Sequence, residues 1–163
     1  MPQLTYNYQT PRGIAGSLFD LAPNEIVSRL NGEDSPKTMM YGMGAVVGDI
    51  PGVNVMVPET DATAAEFEGI IMTGFTTQMD MQGNVNIMPK QTVGILRWGN
   101  AWGRIPDGIV PEANQPVFWI TTGADAGKFT NDSGEGIPIN AQFISGPGTG
   151  NIAPIRLFNQ MNG

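Results

Sequence analysis

The sequence predicts an all-β protein, with a single antiparallel β-sandwich or barrel domain of jelly-roll-like type preceded by an extended N-terminal arm. Short apolar runs of strand length recur from FEGIIMTGF (67–75) to IAPIRLF (152–158). Turns rich in glycine and polar residues separate them, among them TNDSGEG (130–136) and SGPGTGN (145–151). Strands of this length between such turn signals are typical of antiparallel sandwiches and barrels.

Length and composition indicate one globular domain without reactive side chains of the commonest kinds. The chain has 163 residues, of which 40% are hydrophobic, enough to build a core. It contains no cysteine and no histidine. Disulfide frameworks, Cys- or His-based metal sites and His-dependent catalytic triads are therefore excluded. We expect a binding surface and no enzyme activity, metal or cofactor.

The charge distribution argues against nucleic acids and membranes as partners. The net charge is −7, and the eight basic residues are scattered along the chain. Nucleic-acid binding needs clustered Lys and Arg that displace phosphate counterions. Apolar runs stay well below the roughly 18 residues of a membrane span. The N-terminus MPQLTYNYQT lacks the regions of a secretory signal, so we expect a soluble protein made in the cytoplasm.

Residues 1–36 are predicted to form the arm. Pro2, Pro11, Pro23 and Pro36 interrupt this segment, so a long helix cannot form, although one helical turn could begin near Pro23. The segment still carries apolar and aromatic side chains that are costly to leave in water. We therefore expect it to lie on its own domain or on a neighbouring subunit. These side chains are Tyr6, Tyr8, Ile14, Leu18, Phe19 and Leu21.

Residues 37–163 are predicted to form the β-domain. Two strands (39–47 and 53–57) joined by a turn precede a loop or short helix at 59–66. Further strands are predicted at 67–75, 84–88, 92–98, 117–122, 137–144 and 152–158, with a turn at GNAWG (99–103). Pro154 in the last run predicts an edge position or a bulge.

The aromatic residues suggest one possible binding surface. Trp98, Trp102 and Trp119, with Phe118, could form a platform for a sugar or a protein partner, although core packing is the more common role of such side chains. Trp102 lies in the predicted turn, so we expect it to be the most exposed tryptophan. A carbohydrate-binding β-module therefore remains an alternative function.

Carboxylates are the remaining candidates for chemistry. Glu66 and Glu68 share a face if their segment is a strand, and a hydrolase could use them or Asp80. Solvated carboxylates at a sheet edge explain the pair better. The acidic turn TNDSGEG lacks the spacing of a calcium loop, and GPGTG (146–150) lacks the lysine and helix start of a phosphate loop.

The order of the segments resembles that of a known family. FEGIIMTG is followed by NVNIMPKQTVGILRWGNAWGRIPDG, PVFWITTGADAGKFT and INAQFISGPGTGNIAPIRLF, and YNYQTPRGIAGSLFDLAPNEIVSRL precedes them. This succession, which covers most of the chain, is similar to that of the structural cement, or capsid decoration, proteins of tailed bacteriophages. The resemblance implies an all-β virion protein on the outer capsid surface that cements major capsid protein subunits together against internal DNA pressure. It brings no catalytic or cofactor residues.

The resemblance also implies partners and contact residues. The expected partner is the major capsid protein, and the chain is expected to form a homo-oligomer, a dimer or trimer, at a local symmetry axis. As a carbohydrate-binding module, it would instead aid host adhesion from the virion surface. The capsid-contact candidates are Tyr6, Tyr8, Ile14, Leu18 and Phe19, and the oligomer-interface candidates are Trp102, Phe118 and Trp119.

Overall fold

A computed structural model describes residues 13–33, 39–74 and 87–159. Within these residues the protein is all-β, which confirms the predicted fold class, and the helical structure is one 3-10 turn at Ala64–Glu66. That turn fits the loop or short helix expected at 59–66. The nine strands are β1 (Glu25–Asn31), β2 (Gly44–Val47), β3 (Asn54–Met56), β4 (Phe67–Met72), β5 (Thr92–Arg104), β6 (Pro116–Trp119), β7 (Phe129–Thr130), β8 (Ile137–Phe143) and β9 (Ile152–Leu157).

The first five strands close into a barrel. β1 pairs with β3, β3 with β2, β2 with β4 and β4 with β5, and β5 then pairs back with β1. The β1–β3 pair is parallel, whereas the other pairs are antiparallel as predicted. Closure satisfies the backbone groups that an open sheet would leave at its edges.

β5 extends past the barrel and begins the second part of the sheet. Its first half pairs with β1 and β4, and residues 99–104 pair with β9, from which the order continues through β8, β6 and β7. The turn predicted at 99–103 is therefore wrong. Gly99 has φ of 132°, a conformation open to glycine, so the strand changes course there without ending.

Two apolar cores lie on the two faces of β4 and β5. Ile71 and Ile95 pack inside the barrel, whereas Ile70 and Leu96 pack into the second core with the side chains of β6, β8 and β9. All six residues of β4 are buried. Because the same two strands line both cores, the barrel and the second sheet form one continuous structure.

The second half of the predicted arm is a strand. Residues 25–31 form β1, which pairs antiparallel with residues 92–98 of β5, so the helical turn that could have begun near Pro23 is not formed. The β-branched side chains of Ile26 and Val27 favour the extended backbone at this point. The sequence also predicted a strand at 84–88. Ile87 and Met88 lie in the loop before β5 and form no strand. Residues 84–86 lie outside the described residues.

The sequence predicted that Pro154 lies at an edge or a bulge, and this prediction is wrong. Pro154 lies between two strands. It faces Trp102 of β5, whose backbone N–H and C=O bond instead to Ser17 and Gly16. On the other side its carbonyl accepts a hydrogen bond from the N–H of Ile144 at 2.9 Å, one residue past the end of β8. The missing N–H of the proline therefore falls where β8 ends, and the β5–β9 ladder does not need it.

Candidate interaction surface

Exposed apolar side chains are concentrated in residues 14–30. Ten large hydrophobic side chains are exposed in the described residues, and half of them lie in this short part of the chain. Large exposed apolar patches mark interaction surfaces, unlike single exposed apolar residues, so this part of the chain is the candidate for one. We call this set the N-terminal surface, and it consists of Ile14, Leu18, Leu21, Ile26 and Leu30.

Backbone hydrogen bonds hold the first part of this surface against β5. The N–H of Gly16 donates to the carbonyl of Trp102 at 2.8 Å, and the N–H of Phe19 donates to the carbonyl of Asn100 at 2.9 Å. Leu18 forms a β-bridge with the strand between these two bonds. The exposed side chains are thus presented by a fixed backbone, which lowers the entropy lost on binding a partner.

Three members of the surface, Leu21, Ile26 and Leu30, are missing from the capsid-contact candidates predicted from the sequence. Ile26 and Leu30 alternate with Ser28 along β1 and share its exposed face. That alternation is the signal that could have revealed them. This alternation was not recognised because residues 1–36 were interpreted as an extended arm in which one helical turn could form.

Trp102 lies beneath the N-terminal segment. The rings of Phe19 and Trp102 are 5.5 Å apart between centroids, and a Cβ on Gly13 would come within 2.3 Å of the indole. Trp102 is therefore only 6% exposed, and the expectation that it is the most exposed tryptophan is wrong. Trp98 is the partly exposed one, and its indole N–H donates to the carboxylate of Glu25 at 2.8 Å.

The remaining aromatic candidates do not gather on one surface. Trp119 is fully buried in the second core, whereas Phe118 is partly exposed on the other face of β6. Tyr6 and Tyr8 lie outside the described residues. Because Trp102 and Trp119 have almost no accessible surface, the predicted oligomer interface depends on Phe118.

Glu68 is neutralised by two arginines. Its side chain is 8% exposed, and its Oε1 accepts from Arg29 at 2.9 Å and from Arg97 at 3.2 Å. Glu68 is also the extra residue where the register between β2 and β4 shifts, which points its carboxylate at these cations. Charge-assisted hydrogen bonds of this kind are strong, so this buried carboxylate fits a structural role.

The hydrolase hypothesis placed Glu66 and Glu68 on one strand, but Glu66 lies in the 3-10 turn before β4. It closes the 3-10 turn, where the backbone N–H of Thr63 donates to its Oε2 at 2.8 Å. Backbone and side-chain hydrogen bonds from Thr63 lower the pKa of the Glu66 carboxyl, the opposite of what a general acid needs. Asp80 lies outside the described residues. Among the described residues, no group of three or more acidic side chains is placed to hold a metal ion.

A comparison with protein families identifies the chain. The model of the family described as "Structural cement protein (E217 gp24/Pam3 gp6)" matches residues 2–158. The chain belongs to the structural cement protein family. It is thus a structural protein of the phage capsid and not an enzyme, which confirms the resemblance seen in the sequence. None of the curated proteins matches this cement protein.

The fold of the cement protein also occurs in a solved phage structure. A chain from "The capsid of Myoviridae Phage XM1" superimposes with a TM-score of 0.75 and shares 18% sequence identity, with 96% of each chain covered. At this identity the likeness concerns the fold, which is common to nearly the whole of both chains. Within its described residues, the cement protein has no helix long and apolar enough to cross a membrane.

Proposed function

We propose that this cement protein binds the outer surface of the phage capsid and joins neighbouring major capsid protein subunits, which strengthens the shell against the pressure of packaged DNA. The observation that carries the proposal is the N-terminal surface. Leu21 is 99% exposed and Ile14 is 68% exposed, on a backbone held against β5. Burying an aliphatic side chain of this size contributes about 1.5–3 kcal/mol, so several of them together offset much of the entropy lost on association.

The charge of the chain supports the outer face as its location. Fifteen acidic side chains against eight basic ones give a net charge of −7. DNA phosphates inside the shell repel such a protein, whereas the outer face imposes no such cost.

Oligomerisation on the lattice would strengthen attachment further. We propose a dimer or trimer at a local symmetry axis, with Phe118 in the interface between copies. Each copy adds its own contacts with the shell, so modest single affinities combine into slow release.

Polar replacement of three side chains of the N-terminal surface is expected to weaken capsid binding by about 100-fold or more. The reason is the free energy that these aliphatic side chains contribute when the shell buries them. The test uses the triple variant Ile14→Ser, Leu18→Ser and Leu21→Ser in co-sedimentation with undecorated shells. These side chains are exposed, so the fold should survive.

The matched control for this experiment is Val110→Ser. Val110 is 67% exposed, like Ile14, but lies in the loop after β5, outside the N-terminal surface. Val110→Ser should bind as the wild type does, and Leu21→Ser alone should already bind more weakly. A folded triple variant that binds shells with unchanged affinity would contradict the proposal.

A further inference from the structure

Arg104, the last residue of β5, carries a positive charge that no carboxylate of the described residues balances. Its side chain is partly buried, and this burial lowers the pKa of Arg104, although an arginine stays charged at neutral pH. Lys90 and Arg156 also form no ion pair within the described chain, but both are exposed, so water solvates their charge. The other basic side chains of the described residues are partly buried and paired with carboxylates, and they are Arg29, Arg97 and Lys128.

Hydrogen bonds with a neighbouring segment fix the position of Arg104. Its Nε donates to the carbonyl oxygen of Tyr41 at 2.6 Å, and its backbone N–H donates to the carbonyl of Gly42 at 2.8 Å. Its two terminal nitrogens make no hydrogen bond with the described residues, yet neither is enclosed by the protein, so a partner can reach both. Their N–H groups lie in one rigid plane, a geometry that matches the two oxygens of a carboxylate.

Arg104 lies beside the first residues of the N-terminal surface. A Cβ on Gly42 would lie 3.1 Å from the Cβ of Ala15 and 3.2 Å from the Cγ of Arg104, so the stem of the arginine neighbours the backbone that presents Ile14. Asp20 in the same segment already accepts hydrogen bonds from other residues. A partner that covers Ile14 would therefore remove more water from the guanidinium, which is costly unless that partner brings negative charge.

We propose that Arg104 binds the carboxylate of an Asp or Glu side chain of a capsid subunit when that subunit covers the N-terminal surface. The aliphatic side chains supply the buried area, whereas the arginine determines the position of the subunit, because a guanidinium covered without an anion is strongly unfavourable. The net charge of −7 repels acidic partners in general, so a cation at the contact makes this one place favourable for an acidic group. The inference rests on the proposed function, since it takes the partner to be a capsid subunit.

The test is co-sedimentation of the full chain with undecorated shells over a range of salt concentrations. The amide nitrogen of a glutamine lies at the same point along the side chain as Nε of an arginine, so Arg104→Gln can keep the bond to Tyr41 while it loses the charge. We expect this variant to bind shells about tenfold more weakly at low salt, the usual effect of losing a hydrogen bond to a charged group, and with a smaller salt dependence.

Two further variants separate charge at the contact from other effects. Lys128→Gln is the matched control, because it removes the same charge from a lysine that is already paired with Asp125, outside the N-terminal surface, and it should bind as the wild type does. Arg104→Lys keeps the charge but lacks the Nε that bonds Tyr41. It should bind more tightly than Arg104→Gln, whereas a purely structural role for Arg104 predicts the reverse.

The inference is overturned if Arg104→Gln binds shells with the affinity and salt dependence of the wild type, or if Arg104→Lys binds no better than Arg104→Gln. Shell binding also separates this failure from that of the proposed function. Wild-type protein that binds shells, and loses them in the N-terminal triple variant, leaves the proposed function standing without the arginine contact. Wild-type protein that does not bind shells rejects the proposed function and the inference together.

Discussion

Replacing Gly69 by alanine is expected to lower the free energy of unfolding by about 4 kcal/mol, because backbone strain and overpacking add at this position. Gly69 has φ of +153°, and a Cβ there would lie 2.2 Å from the carbonyl oxygen of Leu96. That oxygen belongs to the backbone of β5, which is paired with β4 between the two cores. Neither strand can move aside without disturbing both cores, so the clash cannot relax cheaply.

Urea unfolding of Gly69→Ala and Gly52→Ala measures this effect with a matched control. Gly52 has φ of +81°, but a Cβ there meets no atom within 4 Å. Gly52→Ala should therefore cost about 1 kcal/mol, from the left-handed backbone conformation alone. Equal losses in the two variants would show that contact with Leu96 does not decide the requirement for glycine in β4.

Replacing Glu68 by leucine is expected to cost about 3 kcal/mol, because two arginines lose the carboxylate that balances their charge. The side chain of Arg29 is 14% exposed and suffers most, whereas that of Arg97 is 37% exposed and is partly solvated. Glu66→Gln is the control, since a glutamine can still accept the capping bond from Thr63 and should change stability little.

Urea unfolding of a triple variant separates the contribution of the ion pairs to stability from the contribution of the packing of Glu68. Arg29→Met and Arg97→Met, combined with Glu68→Leu, remove all three charges and should restore most of the lost stability. If Glu68→Leu unfolds at the same urea concentration as the wild type, the three charges contribute nothing and this account of Glu68 is wrong.

The sequence predicted the strands whose signals are local. β4, β6, β8 and β9 all lie within or close to the predicted runs, because alternation and flanking turns mark them without reference to distant residues. Closure of the barrel, the parallel β1–β3 pair and the extension of β5 through 99–103 depend on pairing between distant segments. Local patterns carry no information about such pairing, and glycines in GNAWG mark a bend as readily as a turn.

The candidate site was predictable only in part. The apolar side chains of residues 14–21 stood out because prolines and glycines surround them, and the structure leaves Ile14, Leu18 and Leu21 exposed. The burial of Trp102 could not be foreseen, since the covering residues lie far away in the sequence. A cleft between residues 57–61 and residues 121–128 is equally hidden, because these segments come together only after folding.

Cryo-electron microscopy of undecorated shells mixed with the purified cement protein tests the central claim most directly. We predict density on the outer face at joints between major capsid protein subunits, with the N-terminal surface buried against the shell. Density on the inner face, or a bound molecule whose residues 14–30 face solvent, would contradict the account.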